Sequence, residues 1–167
     1  MRTIPASELI INDDGSVFHL HLRPGQLADT VILVGDPARV ELVASHFDHV
    51  ECRASNREFN TVTGRYKGRR MSVLSTGIGI GNIDICMTEL DALVNVDFAT
   101  RQELPERQRL TLVRLGTSGA IQPDIEVGEM LFARTSLGFD GLLSYYAGRD
   151  RVCDLALEEA FVAHTGW

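Results

Sequence analysis

The stretch TVILVGDPARVELVASHF, residues 30–47, predicts a buried strand that runs through a glycine turn into a helix. The β-branched and apolar run at 30–34 is typical of a strand inside a sheet. Asp36 can cap the helix, and Pro37 suits its first turn. Gly35 lets the backbone approach a ligand closely, and free N–H groups at the helix N-terminus would form an anion site.

Strands and helices alternate along the rest of the chain, which indicates an α/β sheet with helices on its faces. The predicted elements are a β-hairpin over 57–77 turning at YKG, a helix over 82–96, a strand over 110–120 that ends in a glycine turn, a strand over 127–138 and a helix over 154–166. We predict one domain over 1–167. Because no strand follows the last helix, we expect the C-terminal part of the domain to lie beyond Trp167.

Composition narrows the class of protein. The chain has 167 residues and a net charge of -7, which argues against nucleic-acid or anionic-membrane binding. No stretch resembles a signal peptide or a membrane span. The three cysteines, Cys52, Cys86 and Cys153, lack zinc-ligand spacing and indicate reduced thiols in a cytoplasmic protein.

The glycine-rich stretch STGIGIGN, residues 75–82, raises the question of a dinucleotide site. Gly77 and Gly79 match the fingerprint G-x-G-x-x-G, but Asn82 stands where the third glycine belongs. A tight turn that needs small residues is the better interpretation of this stretch.

Arginines at two other strand ends are more informative. Arg39 lies in the first turn of the helix after Gly35, where it opposes the helix dipole unless an anion or carboxylate is near. Arg114 lies inside an apolar strand, either on an edge facing water or facing an anion at the carboxyl end of the sheet. Arg57 is a third candidate, and His19 is an isolated imidazole near the start of the chain.

The segments VFHLHL, GDPARV, NREF, STGIG and RLGTSGAIQPDIEVGE follow one another in the order found in the nucleoside phosphorylase family. Over about 17–141 the chain resembles this family, and most of all its uridine phosphorylase branch. The resemblance implies a phosphorylase/hydrolase-like three-layer sandwich around a twisted mixed sheet. It also implies a transferase that uses phosphate to convert a nucleoside, most closely uridine, to free base and ribose 1-phosphate, as in nucleoside catabolism and pyrimidine salvage.

The resemblance also implies roles for individual residues. Those that would bind phosphate are Gly35, Arg39, Arg57, Arg114, Gly116 and Thr117. Those that would contact ribose are His19, Ile78 and Thr117. Arg39, Arg114 and Thr117 would carry catalysis by positioning and electrostatics. No resident cofactor is implied beyond a monovalent cation near Glu58 and Ile78, where Asn82 replaces the serine usual in the branch.

The implied partners are nucleoside, phosphate and further copies of the chain. Family members form dimers, usually assembled into hexamers, and Arg57 and His19 would reach a neighbouring subunit's site. Two alternatives remain open: a hydrolytic nucleosidase of the same fold, and a truncated, non-catalytic protein that binds phosphate or nucleoside. The three phosphate arginines argue against the hydrolase.

Overall fold

The computed structural model describes residues 3–166. The chain divides into two compact units, one extending to Ala120 and the other starting at Ile121. The prediction of one domain over 1–167 stays a prediction, and Trp167, at which it ends, lies outside the described residues.

The first unit holds a mixed five-stranded sheet, with strand order β2-β3-β4-β1-β7. Its strands are β1 (Thr30–Val34), β2 (His49–Asn56), β3 (Phe59–Tyr66), β4 (Arg69–Ser75) and β7 (Thr111–Arg114). β1 pairs in parallel with β4 on one side and β7 on the other, whereas β2, β3 and β4 are antiparallel. A second, two-stranded sheet pairs β5 (Val96–Asp97) with β6 (Gln102–Glu103).

Two helices flank the main sheet, α1 (Pro37–Ala44) and α2 (Ile80–Asn95). Successive side chains of a strand point to opposite faces of the sheet, so the apolar run of β1 contributes side chains to the cores on both faces. Val31 and Leu33 join a core with buried residues of α2, and Val34 joins a second core with α1. The predicted α/β class and layered mixed sheet are confirmed.

Local signals in the sequence account for most of these elements. Asp36 caps α1 as predicted, because its Oδ1 accepts a hydrogen bond from the Ala38 N–H at 2.9 Å. The hairpin at YKG is also confirmed, with β3 ending at Tyr66 and β4 beginning at Arg69. β2 was not predicted, since its sequence HVECRASN is polar and no residue of it is fully buried.

The unit from Ile121 onward contains a 3₁₀ helix at Leu142–Tyr145, another at Arg149–Arg151, and α3 (Leu155–Thr165). The predicted helix over 154–166 is confirmed, with Asp154 as its N-cap. The predicted strand over 127–138 is wrong: the described residues form no strand there. A strand needs a neighbour for its N–H and C=O groups, and the described part of this unit offers none.

Candidate functional site

The strand order brings the carboxyl ends of β4, β1 and β7 side by side, because these three strands run parallel. A cavity of about 670 Å³ lies at this edge of the first unit. Ligands of open α/β sheets bind at such an edge. The predicted site residues that line the cavity are Gly35, Arg39, Glu58, Ile78, Arg114 and Thr117.

The turn after β1 contributes Gly35 and Arg39 but not the predicted free N–H groups. The Ala38 N–H donates to Asp36 Oδ1 at 2.9 Å, the Arg39 N–H donates to the Asp36 carbonyl at 3.0 Å, and Pro37 has no N–H. The Ala38 and Arg39 N–H groups are therefore not free as predicted, whereas an anion site at this turn stays a prediction. The Arg39 side chain lines the cavity beside it.

Arg114 lies at the end of β7, the edge strand, and its side chain is exposed. Its guanidinium folds back over two glycines: a Cβ added to Gly35 would lie 3.3 Å from Nη2, and one added to Gly116 would lie 3.3 Å from Nη1. Both glycines leave room for the guanidinium, which lines the cavity. Arg114 thus lies on an edge strand and, as the last residue of β7, at the carboxyl end of the sheet. Its binding of an anion there stays a prediction.

The turn after β4 forms the neighbouring wall of the cavity. Gly77 has φ 65°, and a Cβ there would lie 2.7 Å from Asn82 Nδ2 and 2.7 Å from Glu58 Cγ. The stretch STGIGIGN is therefore a tight turn that needs glycine at this point. Ile78 follows; the residue is 94% exposed and lines the cavity.

Glu58 and Asn82 are paired across this wall, with Asn82 Nδ2 donating to Glu58 Oε1 at 2.9 Å. The Glu58 main-chain N–H and the Asn82 amide hold the pKa of the Glu58 carboxyl below its ordinary value. A hard cation binds oxygen ligands, but here the Asn82 NH₂ group faces Oε1, so the residues in this arrangement do not fit such a cation at that oxygen. The cation near Glu58 and Ile78 stays a prediction.

Arg57, Gly116 and His19 are not among the residues lining the cavity within the described part of this chain. Arg57 is exposed in the turn between β2 and β3, with φ 53°. Gly116 lies behind the Arg114 guanidinium. The charged residues that do line the cavity are two arginines, Arg39 and Arg114, and two acidic residues, Asp36 and Glu58.

His19 is held by a residue that the sequence analysis did not single out. Glu89 Oε1 lies 2.7 Å from His19 Nδ1, and the Glu89 carboxylate also accepts the His19 and Leu20 main-chain N–H groups. The available signal was a glutamate on the apolar face of α2, between Cys86 and Leu93. An acidic residue at such a position requires partners.

The chain is similar in sequence to known proteins. The family model described as "Phosphorylase superfamily" matches residues 29–165. Uridine phosphorylase of Thermococcus kodakarensis is 36% identical over 154 residues, which cover 89% of this chain and 50% of that protein. The DeoD-type purine nucleoside phosphorylase of Bacillus subtilis is 36% identical over 119 residues, 71% of this chain and 46% of that one.

Solved structures agree on the fold. A structure from a study of two uridine phosphorylases of the oomycete Phytophthora capsici superposes with a TM-score of 0.60 at 31% identity, over 75% of this chain and 39% of that one. The chain spans about half the length of the curated relatives it matches. Within residues 3–166, no helix is long and apolar enough to cross a bilayer, and no cluster of His, Cys, Asp or Glu could hold a metal ion.

Proposed function

We propose, since this chain belongs to the phosphorylase superfamily, that it acts in the reversible phosphorolysis of a nucleoside to free base and ribose 1-phosphate. The observation that carries the proposal is the meeting of Gly35, Arg39, Arg114 and Thr117 at one cavity. Uridine is the proposed nucleoside, supported by the relatives that bear the name uridine phosphorylase. The reaction is a pentosyl transfer with phosphate as co-substrate.

In the proposed reaction, the bond between the anomeric carbon and the base nitrogen breaks, and the base leaves with the electron pair. A phosphate oxygen then forms the new bond to the same carbon. Positive charge develops on the sugar in the transition state, so a phosphate held beneath it both stabilises that charge and attacks. Arg39 and Arg114 would hold the phosphate through charge-assisted hydrogen bonds, and the Thr117 hydroxyl would orient it next to the ribose.

The charge balance of the cavity supports a site shared between subunits. Asp36 and Glu58 offset the charges of Arg39 and Arg114 within one chain. An additional positively charged side chain would therefore favour the binding of phosphate. Arg57 is exposed in a hairpin turn, available to a neighbouring copy. We propose that Arg57 supplies this charge, that His19 contacts the neighbour's ribose, and that the protein works as a homodimer or hexamer.

We place the reaction in the cytoplasm. The support is that Cys52, Cys86 and Cys153 are free thiols, and free thiols persist in reducing compartments.

Turnover with and without phosphate tests the proposal. Uridine and inosine are incubated with the protein, and release of base is measured by chromatography across a phosphate series. We expect base release only with phosphate, ribose 1-phosphate as co-product, and uridine as the better substrate. Arg39→Ala and Arg114→Ala should abolish phosphate-dependent turnover. Equal cleavage without phosphate would favour the hydrolase, and phosphate binding without turnover would favour the non-catalytic alternative.

A further inference from the structure

The Glu89 carboxylate is buried in the first unit, with its side chain only 9% exposed. It accepts the main-chain N–H of His19 at 3.0 Å and that of Leu20 at 2.8 Å, and Oε1 lies 2.7 Å from His19 Nδ1. These bonds compensate the cost of burying a carboxylate. All three of these donors belong to one short segment, His19 and Leu20.

The rest of His19 is held as firmly. Asn56 Nδ2 donates to the His19 carbonyl at 2.9 Å. The imidazole meets the ring of Phe18 edge-on at 4.9 Å between centroids, and that of Phe59 at 6.3 Å. The side chain nevertheless remains 26% exposed, and within residues 3–166 no hydrogen-bond partner faces Nε2. One ring nitrogen is thus bonded to Glu89, while the other has no hydrogen-bond partner among residues 3–166.

The bond to Glu89 determines what Nε2 can do. A carboxylate has no hydrogen to donate, so Nδ1 must carry the hydrogen in this pair. In the neutral imidazole, Nε2 then carries the lone pair and accepts a hydrogen bond. While the imidazole is neutral, a group that meets Nε2 must be a donor, and a sugar hydroxyl satisfies this requirement.

We infer that Glu89 is a positioning residue, which fixes His19 as the Nδ1–H tautomer and presents Nε2 as an acceptor for a ribose hydroxyl. The identity of the hydroxyl, the 5′-hydroxyl of a nucleoside bound by a neighbouring copy, rests on the proposed function. The tautomer and its dependence on Glu89 do not.

The tautomer is measured first, on the full chain, from the ¹⁵N shifts and long-range ¹H–¹⁵N couplings of His19 on the alkaline plateau of its titration. We expect the Nδ1–H form. In Glu89→Gln, the amide oxygen can still accept the main-chain N–H groups, while its NH₂ faces Nδ1 and forces the hydrogen onto Nε2. We expect this variant to show the Nε2–H form. Asp91→Asn, which removes an exposed carboxylate from the same helix, should keep the Nδ1–H form.

An Nε2–H tautomer in the unsubstituted protein would by itself overturn the inference. The inference can therefore be tested even if the Glu89→Gln variant fails to fold. An Nδ1–H tautomer that persists in a folded Glu89→Gln protein would also overturn it. Neither outcome depends on nucleoside turnover. If the proposed function is wrong but the inference is right, the expected tautomers will be observed and phosphorolysis will be absent.

Kinetics test the ligand. Uridine is compared with 5′-deoxyuridine, which lacks the hydroxyl, in the unsubstituted protein and in Glu89→Gln. In the variant Nε2 carries the hydrogen, so the 5′-hydroxyl can no longer donate to it and must rotate to accept from it instead. We expect this to raise KM for uridine by up to about three- to tenfold. KM for 5′-deoxyuridine should stay unchanged, because this substrate has no 5′-hydroxyl to form a hydrogen bond with Nε2. An equal rise for both substrates would indicate a purely structural role for Glu89 and overturn the assignment of the 5′-hydroxyl.

Discussion

Removing the Arg114 guanidinium should weaken phosphate binding without unfolding the protein. A hydrogen bond to a charged group contributes about 1.5–3 kcal/mol. Arg114 is exposed on the edge strand β7, where water competes for both partners, so we expect the lower end of this range. For Arg114→Ala, a loss of about 1.5 kcal/mol corresponds to about a tenfold rise in the Kd of phosphate.

Arg114→Lys separates charge from geometry. The ammonium keeps the positive charge but cannot form the planar fork of a guanidinium. We expect its Kd to lie between those of the parent and Arg114→Ala, with a rise of about threefold.

Isothermal titration calorimetry with inorganic phosphate measures these constants at fixed ionic strength. Arg107→Ala is the matched control, because Arg107 is exposed, pairs with Glu103 and does not line the cavity. Circular dichroism confirms that each variant is folded. An unchanged Kd in Arg114→Ala, or an equal weakening in Arg107→Ala, would refute the assignment of Arg114 to phosphate.

Three further measurements probe the structure around the cavity. Gly64→Ala should lower the free energy of unfolding in urea by about 1–3 kcal/mol, because its Cβ would clash with the His49 carbonyl oxygen. Gly81→Ala is the control: a Cβ there meets nothing within 4 Å, so this variant should stabilise α2. The lowered pKa of Glu58 contributes stability that is fully present above its ordinary value of 4.5 and is lost as pH falls through the folded value. In Asn82→Ala that pKa should rise, so the free energy of unfolding, measured in urea at a series of acidic pH values, should fall less steeply with pH than in the parent. Burial raises the pKa of Cys86 to about 12, so mass spectrometry should find it unlabelled by iodoacetamide in the folded protein and labelled in urea.

Residues 30–47 show how far local sequence determines structure. The apolar run, Gly35 and Asp36 are sufficient to predict β1, its turn and α1, because capping and periodicity act within a few residues. Whether the N–H groups of the helix end were free could not be predicted in the same way. The Asp36 side chain itself takes the Ala38 N–H, so the feature that starts the helix also removes an anion-binding group.

Glu89 and β2 were missed for a different reason: their roles depend on partners distant in sequence. Glu89 is 70 residues from His19, and no local pattern near either residue predicts that the two side chains are paired. β2 lacks a buried residue of its own and forms a strand because β3 pairs with it. Periodicity describes an element by itself, so it fails where a neighbour supplies the stabilisation.

The topology of the sheet explains why separated motifs meet at one cavity. β1 is flanked by two parallel strands, so the turns after β4, β1 and β7 must emerge at the same edge, although Gly35, Gly77 and Thr117 lie far apart in sequence. The glycine-rich turn after β4 looks most like a phosphate loop, yet its positive φ and the close approach of Glu58 and Asn82 account for Gly77. Arg114, at the end of an apolar strand, is more informative, because neither the packing nor the strand pairing of the sheet requires a guanidinium at that position.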